Sequence, residues 1–224
     1  MRRSEGCMSR VTHKLRDLTR GERIGIVVVV TIVLFGLSQI GLGLYIKAKS
    51  QMAQLLLEKA WQQALSGGEI SKPWPWADTW PVAKLTVPRL GQSAVVLSGI
   101  SGEAMAFGPG YHTGTPAPGQ SGTSVIAAHR DTHFSFLKYL NLGDQITIKT
   151  TQGISRSYTI KRFRVVNWNE SGIDPDAPGR NIALVTCWPL EAVGTGPLRF
   201  VVEAEGLTDI PLSLRTVRDH QQHL

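Results

Sequence analysis

An all-β domain, barrel or sandwich, behind one membrane-spanning helix is the architecture this sequence predicts. Three observations carry it. Ile24 to Ile46 contains no charged residue and is rich in Ile, Val, Leu and Gly. From about Val82 to Leu207 the chain breaks into short β-rich runs separated by Gly and Pro turns. Those runs are too short and too closely spaced for a βαβ fold.

The helix comes first. A membrane span needs about 20 apolar residues, and Ile24–Ile46 meets that length. Before it stand Arg2, Arg3, Arg10, Lys14, Arg16, Arg20 and Arg23, against Glu5, Asp17 and Glu22. The positive-inside rule keeps this basic flank, 1–23, in the cytoplasm and exports the chain beyond Lys47. A cleaved signal peptide is the competing reading, with Ala48-Lys49-Ser50 as a weak cleavage site. The apolar stretch exceeds the roughly 7–15 residues of a signal h-region, which favours a retained anchor. Much of the net charge of +7 lies in this flank, so it does not argue for nucleic acid.

Residues 50–66 read as a short amphipathic helix, with Met52, Leu55, Leu56, Ala60 and Trp61 near helical spacing and Gly67-Gly68 as the stop. SKPWPWADTWP (71–81) comes next, and its prolines forbid regular backbone pairing. Together 47–80 form a spacer, with Trp74, Trp76 and Trp80 as either interface anchors or packing residues. Candidate strands are 83–87, 94–97, 124–128, 145–150, 157–166, 182–186 and 198–204. Roughly 125 residues suffice for one core. The tail 208–224 reads as a polar appendage.

Of the two cysteines, Cys7 falls on the cytoplasmic side, which leaves Cys187 alone beyond the membrane. An unpaired thiol in an oxidising compartment is either buried and inert or kept for its chemistry. It ends the apolar run 182–186, just before Pro189. His129 ends the run 124–128 in the same way, and Arg199 interrupts an apolar strand, where a guanidinium is costly unless paired. His112 and His133 are the other histidines of the β-rich region; His13, His220 and His223 lie outside it. A thiolate nucleophile, an imidazole that shuttles the proton and a guanidinium that holds an oxyanion make chemical sense together. His129 and His133 also stand at zinc-helix spacing, but the glutamate of the metalloprotease motif is missing.

SVIAAHRD…F…L (124–137), ALVTCWPL (183–190) and GPLRFVV (196–202) together resemble the three active-site blocks of the sortases. These are membrane-anchored cysteine transpeptidases that attach proteins to bacterial surfaces. PVAKLTVPRLG (81–91) is similar to the family's opening strand, and the Gly/Pro-rich GPGYHTGTPAPGQSG (108–122) to its approach to the histidine. The resemblance implies a closed β-barrel of about eight strands over 81–207, with short helices in its connections and no cofactor or metal. It implies Cys187 as nucleophile, with His129 and Arg199 beside it, and Thr186, Arg130, Asp131 and His133 as supporting or substrate-contacting residues. His-Arg-Asp-Thr and Thr-Cys-Trp-Pro look closest to sortases outside the housekeeping type, of a kind found in proteobacteria. Two departures stand: Ala128 occupies a place where many members have Gly, and His112 sits one position after the expected histidine. The implied partners are exported proteins with a C-terminal sorting motif like Leu-Pro-x-Thr-Gly, an amine acceptor and the inner membrane. The alternatives are a cysteine endopeptidase using the same triad and a non-catalytic, membrane-tethered binding barrel.

Overall fold

Alternation with period two sets the strands, and their pairing closes the sheet on itself. In the computed structural model, which describes residues 19–67, 72–191, 194 and 196–206, helix α1 (Arg20–Leu65) precedes the sheet. The strands are β1 (Pro81–Val87), β2 (Gln92–Ser98), β3 (Gly110–Tyr111), β4 (Gly122–Ala127), β5 (Gln145–Thr150), β6 (Ser155–Asn167), β7 (Arg180–Cys187) and β8 (Leu198–Gly206). A short helix, α2 (Gly102–Phe107), links β2 to β3, and Ser101 caps it by accepting from the Ala104 N–H at 3.1 Å. Cys7, His13 and the tail 208–224 with His220 and His223 lie outside the described residues.

The strands form a closed barrel in the order β1-β2-β3-β4-β7-β8-β6-β5, and β5 pairs back onto β1. This is the eight-stranded closed barrel that the family resemblance implies, and it follows the long apolar helix that the sequence predicts. Ala83, Leu85 and Val87 of β1 point inward, as do Ile146 and Ile148 of β5 and Ile182 and Leu184 of β7, all 1 % exposed or less. At about 25 cal/mol per Å² of apolar surface, each large aliphatic buried here contributes roughly 1.5–3 kcal/mol. All seven candidate strands form. The eighth, β3, has two residues, too few to leave a periodic signal.

Two expectations are corrected. The span 24–46 and the helix 50–66 are one continuous helix, because Lys47 and Lys49 are good helix formers and do not interrupt it. Ala60 and Trp61 of the expected apolar set lie in the buried stripe, with Ala53, Leu57 and Ala64, whereas Met52 and Leu55 are 58 % and 68 % exposed. Ala53 and Ala64 carry little hydrophobic weight and leave a weak mark in the pattern. From Met52 onward the helix belongs to the same compact unit as the barrel; residues up to Gln51 form a unit of their own. Glu58 accepts from Lys84 of β1 at 3.1 Å, and Gln54 donates to the Phe107 carbonyl at the end of α2 at 2.8 Å. The earlier stretch carries exposed apolar side chains such as Val27, Phe35 and Tyr45 and is long and apolar enough to cross a membrane. It fits a single-pass membrane anchor.

One ion pair pins the turn into β5. Arg89 donates to both carboxylate oxygens of Asp144 at 2.6 Å and to the Tyr139 carbonyl at 2.5 Å, while Asp144 also accepts from the Asn141 N–H at 2.8 Å. The hydrogen bonds from Arg89 hold the Asp144 carboxyl below the usual carboxylate range. A lowered folded-state pKa means stability that is present above the ordinary carboxylate pKa and lost as pH falls through the lowered value. Asp144→Asn therefore lowers the melting temperature at neutral pH. In melting curves taken at falling pH, the gap to the wild type closes in acid; a gap constant with pH would contradict this.

Candidate active site

Two parallel strands, β4 and β7, deliver their C-terminal ends to one rim of the barrel. Their register runs from Gly122 opposite Arg180 to Ala127 opposite Val185. The Ala128 N–H donates to the Val185 carbonyl at 3.2 Å, so the pairing continues one residue beyond β4. His129 therefore comes at the level of Cys187. Antiparallel β8 starts at the same rim, and Arg199 is the direct cross-strand partner of Cys187. Directly opposed residues share a face of the sheet, so thiol and guanidinium point to the same side. The structure thus places Cys187, His129 and Arg199 on three neighbouring strand ends, although the chain separates them widely.

Exposure matches the chemistry expected of each. Cys187 is half-buried and unpaired, His129 is exposed, and Arg199 is half-buried. Arg199 donates through Nη1 to the carbonyls of Gly196 and Leu198 at 2.7 and 2.9 Å. Those bonds tie Nη1 of the guanidinium to its own loop. Trp188 stacks on Phe200, with centroids 5.7 Å apart, and Phe200 stacks on Phe163 at 5.8 Å, bracing the strand end that carries the thiol.

Thr186 is 3 % exposed and donates from its hydroxyl to the Ala128 carbonyl at 2.8 Å. The bond fastens the residue before the thiol to the residue before the imidazole. Thr186→Val would strand that buried carbonyl at a cost of about 1–3 kcal/mol. We expect a matching loss in denaturant melts together with slower alkylation or acylation of Cys187; an unchanged midpoint would show that the bond contributes nothing.

Arg130 is 6 % exposed, which nothing in its surface-like surroundings in the sequence announces. It pairs with Asp131 at 3.0 Å and donates to the carbonyls of Pro189 and Gly194 at 2.7 and 3.0 Å. The hydrogen bonds from Arg130 lower the Asp131 pKa, though the Asp131 side chain is itself 72 % exposed. His133 is half-buried and lies near enough to His129 for their charges to interact. Burial lowers the His133 pKa and favours the neutral ring, against the opposing effect of the Ala106 backbone. His112 serves locally: its Nδ1 accepts from the Gly114 N–H at 3.0 Å, and its own N–H pairs with Val125 in mid-strand. Trp74 packs edge-on against Phe107, with centroids 4.8 Å apart, while Trp76 is 79 % exposed.

The family model of the sortase domain matches residues 85–206, more than half of the chain. The chain belongs to the sortase family. Sortases are cysteine transpeptidases that act on cell-wall sorting signals. Among curated proteins, sortase D of Bacillus subtilis strain 168 is 25 % identical over 125 residues, covering 55 % of this chain and 63 % of that one. The chain thus spans less than two thirds of that relative's length. Of solved structures, a Clostridium perfringens sortase D5 transpeptidase superposes with a TM-score of 0.56 at 20 % identity, over 70 % of this chain and 99 % of that one. Sortase C-1 of Actinomyces oris gives 0.51 at 28 % identity, over 57 % and 74 %. The barrel fold is shared among them.

Proposed function

We propose that this sortase is a single-pass inner-membrane transpeptidase, with residues 1–23 in the cytoplasm and a catalytic domain, 81–207, held outside by the 47–80 spacer. The observation that carries the mechanism is the register that brings Cys187, His129 and Arg199 to one rim. Its substrates are exported proteins with a C-terminal sorting signal of the Leu-Pro-x-Thr-Gly kind. The Cys187 sulfur attacks a backbone carbonyl of that signal and forms a carbon–sulfur bond. Arg199 donates to the oxyanion that develops. The carbon–nitrogen bond then breaks, and His129 gives the departing amine its proton. An incoming amine attacks the thioester and hands its proton back to His129; the new amide leaves and the thiolate is restored. Thr186, Arg130, Asp131 and His133 support this centre without reacting. The shapes His-Arg-Asp-Thr and Thr-Cys-Trp-Pro support a place among the proteobacterial type.

The test is partition between two acceptors. The full chain in detergent is given a fluorescent sorting peptide with and without a primary amine such as triglycine. Growth of the amide product at the expense of free acid as amine is raised supports transpeptidation. Free acid alone at every amine concentration would make the protein a hydrolase.

A further inference from the structure

Arg130 comes directly after the imidazole, yet it is more deeply buried than any other charged side chain at this rim. A buried guanidinium is tolerated only where its donors are satisfied. Four hydrogen bonds satisfy it here: Nε and Nη2 to the two Asp131 oxygens at 3.0 and 3.3 Å, Nη1 to the Pro189 carbonyl and Nη2 to the Gly194 carbonyl. Those acceptors are telling. Asp131 keeps the guanidinium on the His129 segment, while Pro189 and Gly194 belong to the connection that leaves Cys187 towards Arg199. One planar cation thus bolts the segment carrying the imidazole to the segment carrying the thiol.

With most of its donors committed to protein acceptors, Arg130 has little left to offer a substrate. The other charged or titratable groups around the rim are His129, Asp131 and His133 on the β4–β5 connection, Arg199 on β8, and the Lys138–Glu191 pair at 3.6 Å. Arg199 is half-buried, and among the described residues its acceptors are carbonyls of its own loop. The two arginines therefore differ: Arg199 bonds within one segment, whereas Arg130 bonds across two.

We infer that Arg130 is the positioning residue of this active site, a buried clamp that sets the His129–Cys187 geometry. This rests on the transpeptidase reading above. Misplacing reacting groups by about 1 Å costs on the order of 100-fold in rate.

The test compares Arg130→Met, Arg130→Gln and Arg130→Lys in the full chain. The readouts are the melting temperature and the kcat and KM for a sorting peptide. The clamp predicts that Arg130→Met loses kcat by about 100-fold with KM little changed. Arg130→Gln, which keeps donors in place, shows a smaller loss of kcat, and Arg130→Lys, which keeps the charge without the planar fork, does not restore full kcat. If Arg130→Met fails to fold, the Gln and Lys variants decide by the same criteria. Folded variants with wild-type kcat, or a loss that falls on KM alone, would overturn the inference while the wild type still acylates. A wild type that never acylates would instead overturn the transpeptidase reading.

Discussion

Cys187→Ala is expected to abolish turnover, lowering kcat by at least ~10,000-fold, while its melting temperature stays at the wild-type value. The two halves of this result come from one placement. The thiol ends β7 at the rim, half-buried and unpaired, so its removal opens no large cavity in the core. Substitutions away from core packing cost within about 0.5 kcal/mol. In the proposed mechanism the same sulfur supplies the covalent step. His129→Ala has a milder expected effect, a loss of about 100- to 10,000-fold, because general acid–base help rather than the bond itself is removed. Steady-state kinetics with a sorting peptide, paired with thermal melts, reads both. A Cys187→Ala protein that unfolds easily would make the thiol a structural one and favour the non-catalytic barrel.

Gly122→Ala is the largest expected loss of stability. Gly122 opens β4 at φ +98°, a conformation that L side chains rarely adopt. A Cβ there would overlap the Pro175 carbonyl oxygen and come within 2.6 Å of Pro116 Cγ. The backbone cannot move away freely, because the Gly122 N–H donates to the Gly179 carbonyl at 2.7 Å and the Thr123 N–H to that of Pro175 at 2.8 Å. Strain and overlap together should cost about 3 kcal/mol or more, roughly 10 °C in melting temperature for a domain of this size. Gly143 gives the control, since at φ +87° it meets nothing within 4 Å. Gly143→Ala carries the backbone strain alone and should cost about 1 kcal/mol. Equal losses at the two sites would show that the contacts around Gly122 are softer than they look.

The strands were legible because burial on one side of a pleated sheet leaves a period of two, as in 81–87 with Ala83, Leu85 and Val87 inward. The barrel's closure was not legible from that pattern; the family resemblance supplied it. Continuity of α1 was hidden by Lys47 and Lys49, which mark a membrane exit in composition but not a break in hydrogen bonding. The three rim residues stood out for different reasons: Cys187 as a lone thiol beyond the membrane, and His129 and Arg199 as polar groups ending or interrupting apolar runs. Arg130 carried no such mark. Beyond Asp131, its acceptors are backbone carbonyls 59 and 64 positions away, which have no identity in a sequence.

The central claim is a thioester on Cys187. The full chain in detergent is mixed with a library of sorting peptides without added amine, quenched in acid and mapped by mass spectrometry. The expected result is an acyl adduct on the fragment containing Cys187, discharged by amine and absent from Cys187→Ala. An adduct that persists in Cys187→Ala, or a Cys187 left unmodified by every peptide, would contradict it.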